Sequence, residues 1–348
     1  MGPNVNGFEQ DLKHYHALEK QEVVALSAGT AALHLGLVML GVERDDEVIC
    51  QSFTFSASAN PITYQGAKPV FIDSEPDTWN MDPSLLREAI EDRIQKTGRK
   101  PKAIIPVHLY GMPAKMDEIT AIAQEYEIPI LEDAAEAIGS EYKGKKCGTL
   151  GAYGALSFNG NKMITTSGGG ALICPSREAA DRVTFYATQA REQAPHYQHE
   201  KIGYNYRLSN ICAGVGRGQM QVLDEHIARR RAIHALYSQG LESIPGIGVQ
   251  QNPSTHFNSN FWLTTILIDP KQTGFDREQL RLRLEEENIE SRPLWKPMHL
   301  QPVFASYPYY GGSVAERLFE RGLCLPSGSA LSDNDIARVI EVIKSFTR

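Results

Sequence analysis

The sequence contains no Cys-x-x-Cys pair, and its five cysteines (Cys50, Cys147, Cys174, Cys212, Cys324) are odd in number and widely scattered. That usage excludes a zinc knuckle and a disulfide framework, and it fits a reducing, cytoplasmic setting. A basic excess is also missing. Lys and Arg number 35 against 42 Asp and Glu, a net charge of -7, which argues against nucleic acid or an anionic membrane surface as partner. No apolar run approaches the ~18 residues that suggest a membrane span, and no signal-peptide pattern opens the chain. Internal repeats and low-complexity linkers are absent too.

What is present is an alternation. Apolar strand candidates at 22–28, 47–51, 68–72, 102–108, 128–131, 155–158 and 170–174 are interleaved with helix-like stretches at 30–40, 82–95 and 115–126. Strand alternating with helix predicts a largely parallel α/β sheet covered on both faces. In such sheets ligands bind at the carboxyl ends of the strands. A long helix is expected from about Asn210 to Leu241, followed by a smaller α+β region with a strand at 261–268 and helices at 276–288 and 333–346. The expected division is a large domain over 1–225 and a small C-terminal domain over 226–348.

Three features fall at strand ends. In "SAGTAALHLGL" a strand runs through Ala28-Gly29-Thr30 into a helix, so free amide donors and a positive dipole end are offered to a phosphate. An ordinary helix cap is the competing reading. In "IPILEDAAEAIG" Asp133 follows an apolar strand, and a carboxylate there is costly unless a cation or several donors meet it; it too could be a cap. In "SFNGNKMITTSGGG" Lys162 stands among small polar residues before Gly168-Gly169-Gly170. Alone it reads as a surface charge. Together, a phosphate cradle, a carboxylate and a lysine are the parts that hold pyridoxal phosphate. The carboxylate keeps the pyridine nitrogen protonated, and the lysine forms an imine and then moves a proton. In "QSFTFSAS" one of Phe53 and Phe55 is expected in the core and Phe55 against the ring.

These stretches, with "SFTFSASANPITYQGAKPVFID", "HLYGMPAKMDEI" and "GYNYRLSNICAGVGRGQM", resemble the DegT/StrS-type sugar-nucleotide aminotransferases in order across nearly the whole chain. The resemblance implies a pyridoxal-phosphate-dependent transferase fold (fold type I), with a mostly parallel central sheet in a large domain plus a small α+β C-terminal domain. It implies Lys162 as the Schiff-base lysine and Asp133 as partner of the pyridinium nitrogen. Ala28, Gly29, Thr30 and Ser157 would hold the phosphate, Phe55 would stack on the ring and Glu136 would lie beside it. Asn205 would reach the phosphate of a neighbouring subunit's cofactor, which implies a homodimer with shared sites.

"ATQAREQAPHYQHEKIGYNYRLSN" and "IESRPLWKPMHLQPVF" look most like enzymes that aminate C4 of a UDP-linked 4-keto-6-deoxy-N-acetylhexosamine, with L-glutamate as donor. His196, His199, Tyr204, Arg207, Trp295, Lys296 and His299 are the candidates for diphosphate and sugar contacts. His196 and His199 lack a third ligand at metal spacing, so no metal is expected. C3 amination, a GDP- or dTDP-linked sugar, and a catalytically silent sensor are the alternatives; a dehydratase would carry histidine in place of Lys162. The resemblance also implies a leading helical segment ahead of "GPNVNGFE", whose absence would affect substrate binding and dimer strength.

Overall fold

The computed structural model describes residues 2–346. Seven strands build the central sheet: β1 Glu22–Leu26, β2 Glu47–Gln51, β3 Lys68–Ile72, β4 Ala103–Ile105, β5 Leu131–Asp133, β6 Tyr153–Ser157 and β7 Gly170–Cys174. Their order is β1-β7-β6-β5-β4-β2-β3. β5 and β4 are joined by parallel bridges Ile104–Ile130 and Val107–Asp133. β7 alone runs against its neighbours, antiparallel to β1 and β6. The strands are buried almost throughout, the mark of a sheet covered on both faces.

The reversal of β7 matters for the site. Its amino end lies at the same edge as the carboxyl ends of the other strands, so Gly168–Gly170 arrives beside Ser157 rather than at the far side. Ser157 pairs with Gly170 in register. A Cβ on Gly170 would lie 2.4 Å from the Ala28 carbonyl carbon and the Gly29 nitrogen. The glycine thus lets the helix α2 (Gly29–Met39) start directly against the sheet.

The expected long helix is two helices, Asn210–Met220 and Leu223–Leu241. The first carries Gly214, Gly216 and Gly218, which weaken it but admit a close neighbour. Gly216 faces Phe8 of the N-terminal helix α1 (Pro3–Tyr15), where a Cβ would lie 2.8 Å from the ring. Leu223 and Ile227 of the second helix pack in the large core, whereas Ile233, Tyr237 and Leu241 pack in the small one. Residue 225 therefore falls within a helix that serves both cores. The small domain has an antiparallel sheet of Ile247–Val249, Thr264–Ile268, Gly322–Leu325 and Arg292–Pro293, backed by helices Arg277–Glu286 and Asp333–Phe346.

The chain does not stay there. Met298 and Phe304 join the large core, and Tyr309–Tyr310 pairs in parallel with β3. Asp73, buried at the end of β3, accepts amide bonds from Gly312, Val314 and Ala315 and pins this returning segment. The small domain is thus interrupted, because a buried carboxylate needs those donors. Among the described residues no helix is long and apolar enough to cross a membrane.

Gly170→Ala is expected to destabilise the chain by about 1–3 kcal/mol, because its methyl meets backbone that cannot move aside cheaply. Denaturant unfolding measures this; Gly248→Ala, in strand backbone with nothing within 4 Å of the added methyl, is the control for loss of glycine without a clash.

Candidate active site

A cavity of about 940 Å³ opens at the carboxyl edge of the sheet, between the two domains. Ala28, Gly29, Thr30, Phe55, Asp133, Glu136, Ser157, Lys162 and Trp295 line it, drawn together from β1, β2, β5, β6 and the small domain. No side chain caps the first turn of α2, whose N-cap is Ala28. Its amide donors therefore remain for an anion. Gly29 is required by crowding: a Cβ would lie 2.9 Å from the Ser157 Cβ.

Asp133 ends β5 and is 5% exposed. The Ser58 hydroxyl donates to its Oδ2 at 2.6 Å and the Ala135 amide to its Oδ1 at 3.1 Å. Ser58 is in turn bonded to Thr54 at 2.7 Å. Burial pushes the Asp133 carboxyl above its usual range, against the pull of Ser58, Ala135, Lys162 and His108. A carboxylate in that state favours a cationic partner. Glu136, also buried, is raised by burial as well, with Lys162 and the Tyr110 amide opposing. The Lys162 Nζ lies 3.1 Å from Glu136 Oε1, and its side chain is 12% exposed. The lysine is no solvated surface charge.

Phe53 is fully buried and Phe55 is 56% exposed at the cavity wall. Phe55 packs on Trp295 with ring centroids 5.4 Å apart. Ser58, Asn159, Asn161 and Trp262 also line the cavity, and sequence reading passed over them. A hydroxyl three residues beyond Phe55 was the available signal for Ser58; nothing local marks Trp262.

The remaining candidates lie outside this cavity. Arg207 reaches Glu9 and the Ala25 carbonyl, its Nη1 to carbonyl distance being 2.9 Å. It ties α1 to β1, and its Nε is buried without a hydrogen-bond partner. His299 is held between Ser52 (2.7 Å) and Glu316 (3.2 Å) and stacks on Tyr309. It links the returning segment to the β2 loop. Tyr204 stacks on Tyr206 and meets His34 edge to face. His196, His199, Asn205 and Lys296 are exposed on the surface of this one chain. His199 bonds the Gln189 carbonyl at 2.9 Å. Among the described residues no cluster of three His, Cys, Asp or Glu side chains could hold a metal.

The fold is that of the fold type I transferases, and a lysine, two buried carboxylates and an uncapped helix start share a cavity at its sheet edge. The chain belongs to the DegT/DnrJ/EryC1/StrS aminotransferase family, whose profile matches residues 1–344. It is 51% identical over 347 residues to EpsN of Bacillus subtilis (strain 168), named as a pyridoxal phosphate-dependent aminotransferase, covering 99% of this chain and 88% of that one. It is 39% identical to GDP-perosamine synthase of Escherichia coli O157:H7, covering 94% of this chain and 86% of the relative. The solved structure of a DegT DnrJ EryC1 StrS aminotransferase from Brucella abortus superposes with a TM-score of 0.92 at 34% identity, covering 100% of this chain and 91% of that one.

The raised carboxyl of Asp133 has a consequence for stability. A carboxyl whose folded pKa lies above its unfolded one stabilises the fold below the unfolded value, and that contribution is lost as pH rises through the folded one. Asp133→Asn in the cofactor-free chain is therefore expected to melt at a higher temperature than the native chain at pH 8, the gap closing towards pH 4. Thermal unfolding across pH checks the sign.

Proposed function

We propose that this chain transfers the amino group of L-glutamate to C4 of a nucleotide-linked 4-keto-6-deoxy sugar, with UDP-2-acetamido-2,6-dideoxy-4-ketohexose as acceptor. The observation that carries the reading is the placement of Lys162 Nζ against Glu136, in one cavity with Asp133 and the uncapped start of α2. The cofactor is pyridoxal 5'-phosphate. The residues fit it: a glycine cradle at Gly29, donors without a capping side chain, and a buried carboxylate short of a cation.

In this reading the amides of Gly29 and Thr30, with the Ser157 hydroxyl, hold the phosphate. Asp133, kept in place by Ser58 and Ala135, would pair with the ring nitrogen, and Phe55 would cover the ring. When bound, the cofactor supplies an imine-forming aldehyde and an electron sink for breaking the bond to hydrogen next to nitrogen. Lys162 serves as the covalent anchor and, once released, as the base that moves the proton in both halves of a ping-pong cycle. Glu136 is within hydrogen-bond reach of that amine and keeps it over the site.

The working unit is a homodimer in the cytoplasm. Among the described residues, the cavity wall of one chain carries Lys162, Arg292 and Arg338 as its cations, beside Asp133, Glu136, Glu290 and Asp335. A nucleotide diphosphate needs more positive charge than that. Asn205, His196 and His199 are exposed, and so are the large apolar side chains of Tyr64, Ile202 and Ile211, as residues serving a partner's cavity would be. Lys296 is exposed beside Trp295 at the mouth. A GDP-linked ketosugar is the second reading, favoured by the similarity to GDP-perosamine synthase.

Borohydride reduction of the holoenzyme followed by peptide mapping is expected to leave a pyridoxyl group on Lys162, and Lys162→Ala to abolish turnover. A label on another lysine overturns the assignment. After loading with glutamate and removal of excess, the UDP-linked ketosugar is expected to regenerate the starting absorbance fastest. Faster return with a GDP- or dTDP-linked sugar moves the assignment to that nucleotide. Mixed Lys162→Ala and Asn205→Ala chains are expected to regain activity that neither has alone, through the one intact site of each hybrid dimer.

A further inference from the structure

Lys162 Nζ has two neighbours, one on each side. Glu136 Oε1 lies at 3.1 Å, and the ring of Trp262 lies 4.1 Å away, with the ammonium over its face. An ammonium over an indole face is attracted by the ring quadrupole, and more strongly where water is excluded. Trp262 is 3% exposed. Both walls of this seat are fixed independently of the lysine. The Tyr110 amide donates to Glu136 Oε2 at 2.8 Å. The indole Nε1–H donates to the carbonyl of Asn161 at 2.9 Å, so the ring is tied to the same loop that carries Lys162.

One side chain joins the two walls. Asn260, fully buried, accepts the Trp262 amide at 2.8 Å and donates to the carbonyls of Glu136 and Ile138 at 2.9 Å each. Its own amide donates to Ser140 Oγ. Gly111 exists to admit it: a Cβ there would fall 1.8 Å from Asn260 Oδ1. Between Asn260 and Trp262, Phe261 takes a left-handed φ of 47°, held by stacking on His234 at 3.5 Å. A non-glycine residue adopts that backbone where its surroundings impose it.

We propose that Trp262 is a positioning residue for the Lys162 amine. Its indole face and the Glu136 carboxylate form a seat that holds the amine whenever it is protonated and not covalently engaged, with Asn260 setting the spacing of the two walls. The inference rests on the reading of Lys162 as the cofactor-bearing lysine. It adds that a lysine released during turnover is parked at a defined point and not left to swing through the cavity.

The test uses the full chain freed of cofactor. Competitive acetylation with acetic anhydride, read by peptide mass spectrometry against exposed Lys102, measures how well the seat holds the ammonium. Trp262→Leu is expected to raise the Lys162 rate about fivefold, the factor that a typical cation–π contact provides. Trp262→Phe, which restores a ring face, is expected to fall between. Equal rates in all three proteins overturn the proposal. A second measurement needs no change at Trp262. In the ¹³C-methylated native chain, the Lys162 methyl resonance, identified by its loss in Lys162→Arg, is expected upfield of the other lysyl methyls because of the indole ring current. A resonance among the others overturns the proposal. Borohydride trapping on the holoenzyme keeps the two readings apart: a pyridoxyl group elsewhere removes the cofactor role of Lys162 and leaves the seat standing, whereas trapping on Lys162 with no Trp262 effect removes the seat alone.

Discussion

Three carboxylates within six residues, Glu132, Asp133 and Glu136, are withdrawn from water at one edge of the sheet. Burying a carboxylate without compensation costs several kcal/mol, so the surrounding structure must answer each one. Glu132 points to the side of the sheet opposite Asp133 and is met by the amides of Gly148, Leu150 and Gly151 and by His108 Nε2 at 2.8 Å. Four donors satisfy it without a ligand. Asp133 receives only Ser58 and one amide, and Glu136 one amide and Lys162. The strand therefore ends in one carboxylate closed off by structure and two left open to chemistry. That inequality, more than the fold as such, locates the site.

Much else follows from supplying those donors. The loop at 148–151 must turn its amides towards Glu132, and Gly154 must stay bare because a Cβ would strike the Gly148 carbonyl at 2.0 Å. Tyr110 adopts a left-handed φ of 55° and presents its amide to Glu136. The same ring lends its hydroxyl to the Trp295 amide at 3.0 Å, which joins the large domain to the aromatic wall of the cavity. Positioning of the carboxylates and closure of the interdomain wall are thus one construction.

Sequence reading went furthest where burial is symmetric. β2, β3 and β7 were legible to the residue, since a strand buried on both faces is a continuous apolar run with a sharp edge. β5 was expected over 128–131 and is found at Leu131–Asp133, because acidic residues do not look like a buried strand until their donors are visible. Strands of two to four residues in the small domain, such as Gly322–Leu325, are too short to show a period. The helix break after Met220 was hidden behind residues that otherwise favour helix. At the site, Gly29, Asp133 and Lys162 were singled out because each stands near a strand end beside small residues, and Ser157 through the family resemblance; all four line one cavity. Asn260 and Trp262 were not, being about a hundred residues from the lysine they flank, with no local pattern to betray them.

Charge was the least legible feature, and the reason is geometric. A cation in a sequence announces its sign but not the direction it faces. Arg207 and His299, both chosen for their chemistry, bond to α1 and to the returning segment and do not line the cavity. The cations on the cavity wall, Arg292 and Arg338, come from the small domain, and each is already engaged: Arg292 pairs with Glu290, and Arg338 bonds the Glu287 carbonyl. A diphosphate entering there must compete for them or bring in positive charge from outside the chain. The cofactor-facing part of the site is thus built almost wholly by residues fixed on strand ends of one chain. On the proposed reading, the nucleotide-facing part falls to the rim, where Arg292 and Arg338 are exposed, and to a second chain. Such a division lets one rigid amine-transfer centre serve many sugars, since nucleotide preference can change at the rim without disturbing the buried carboxylates beneath it.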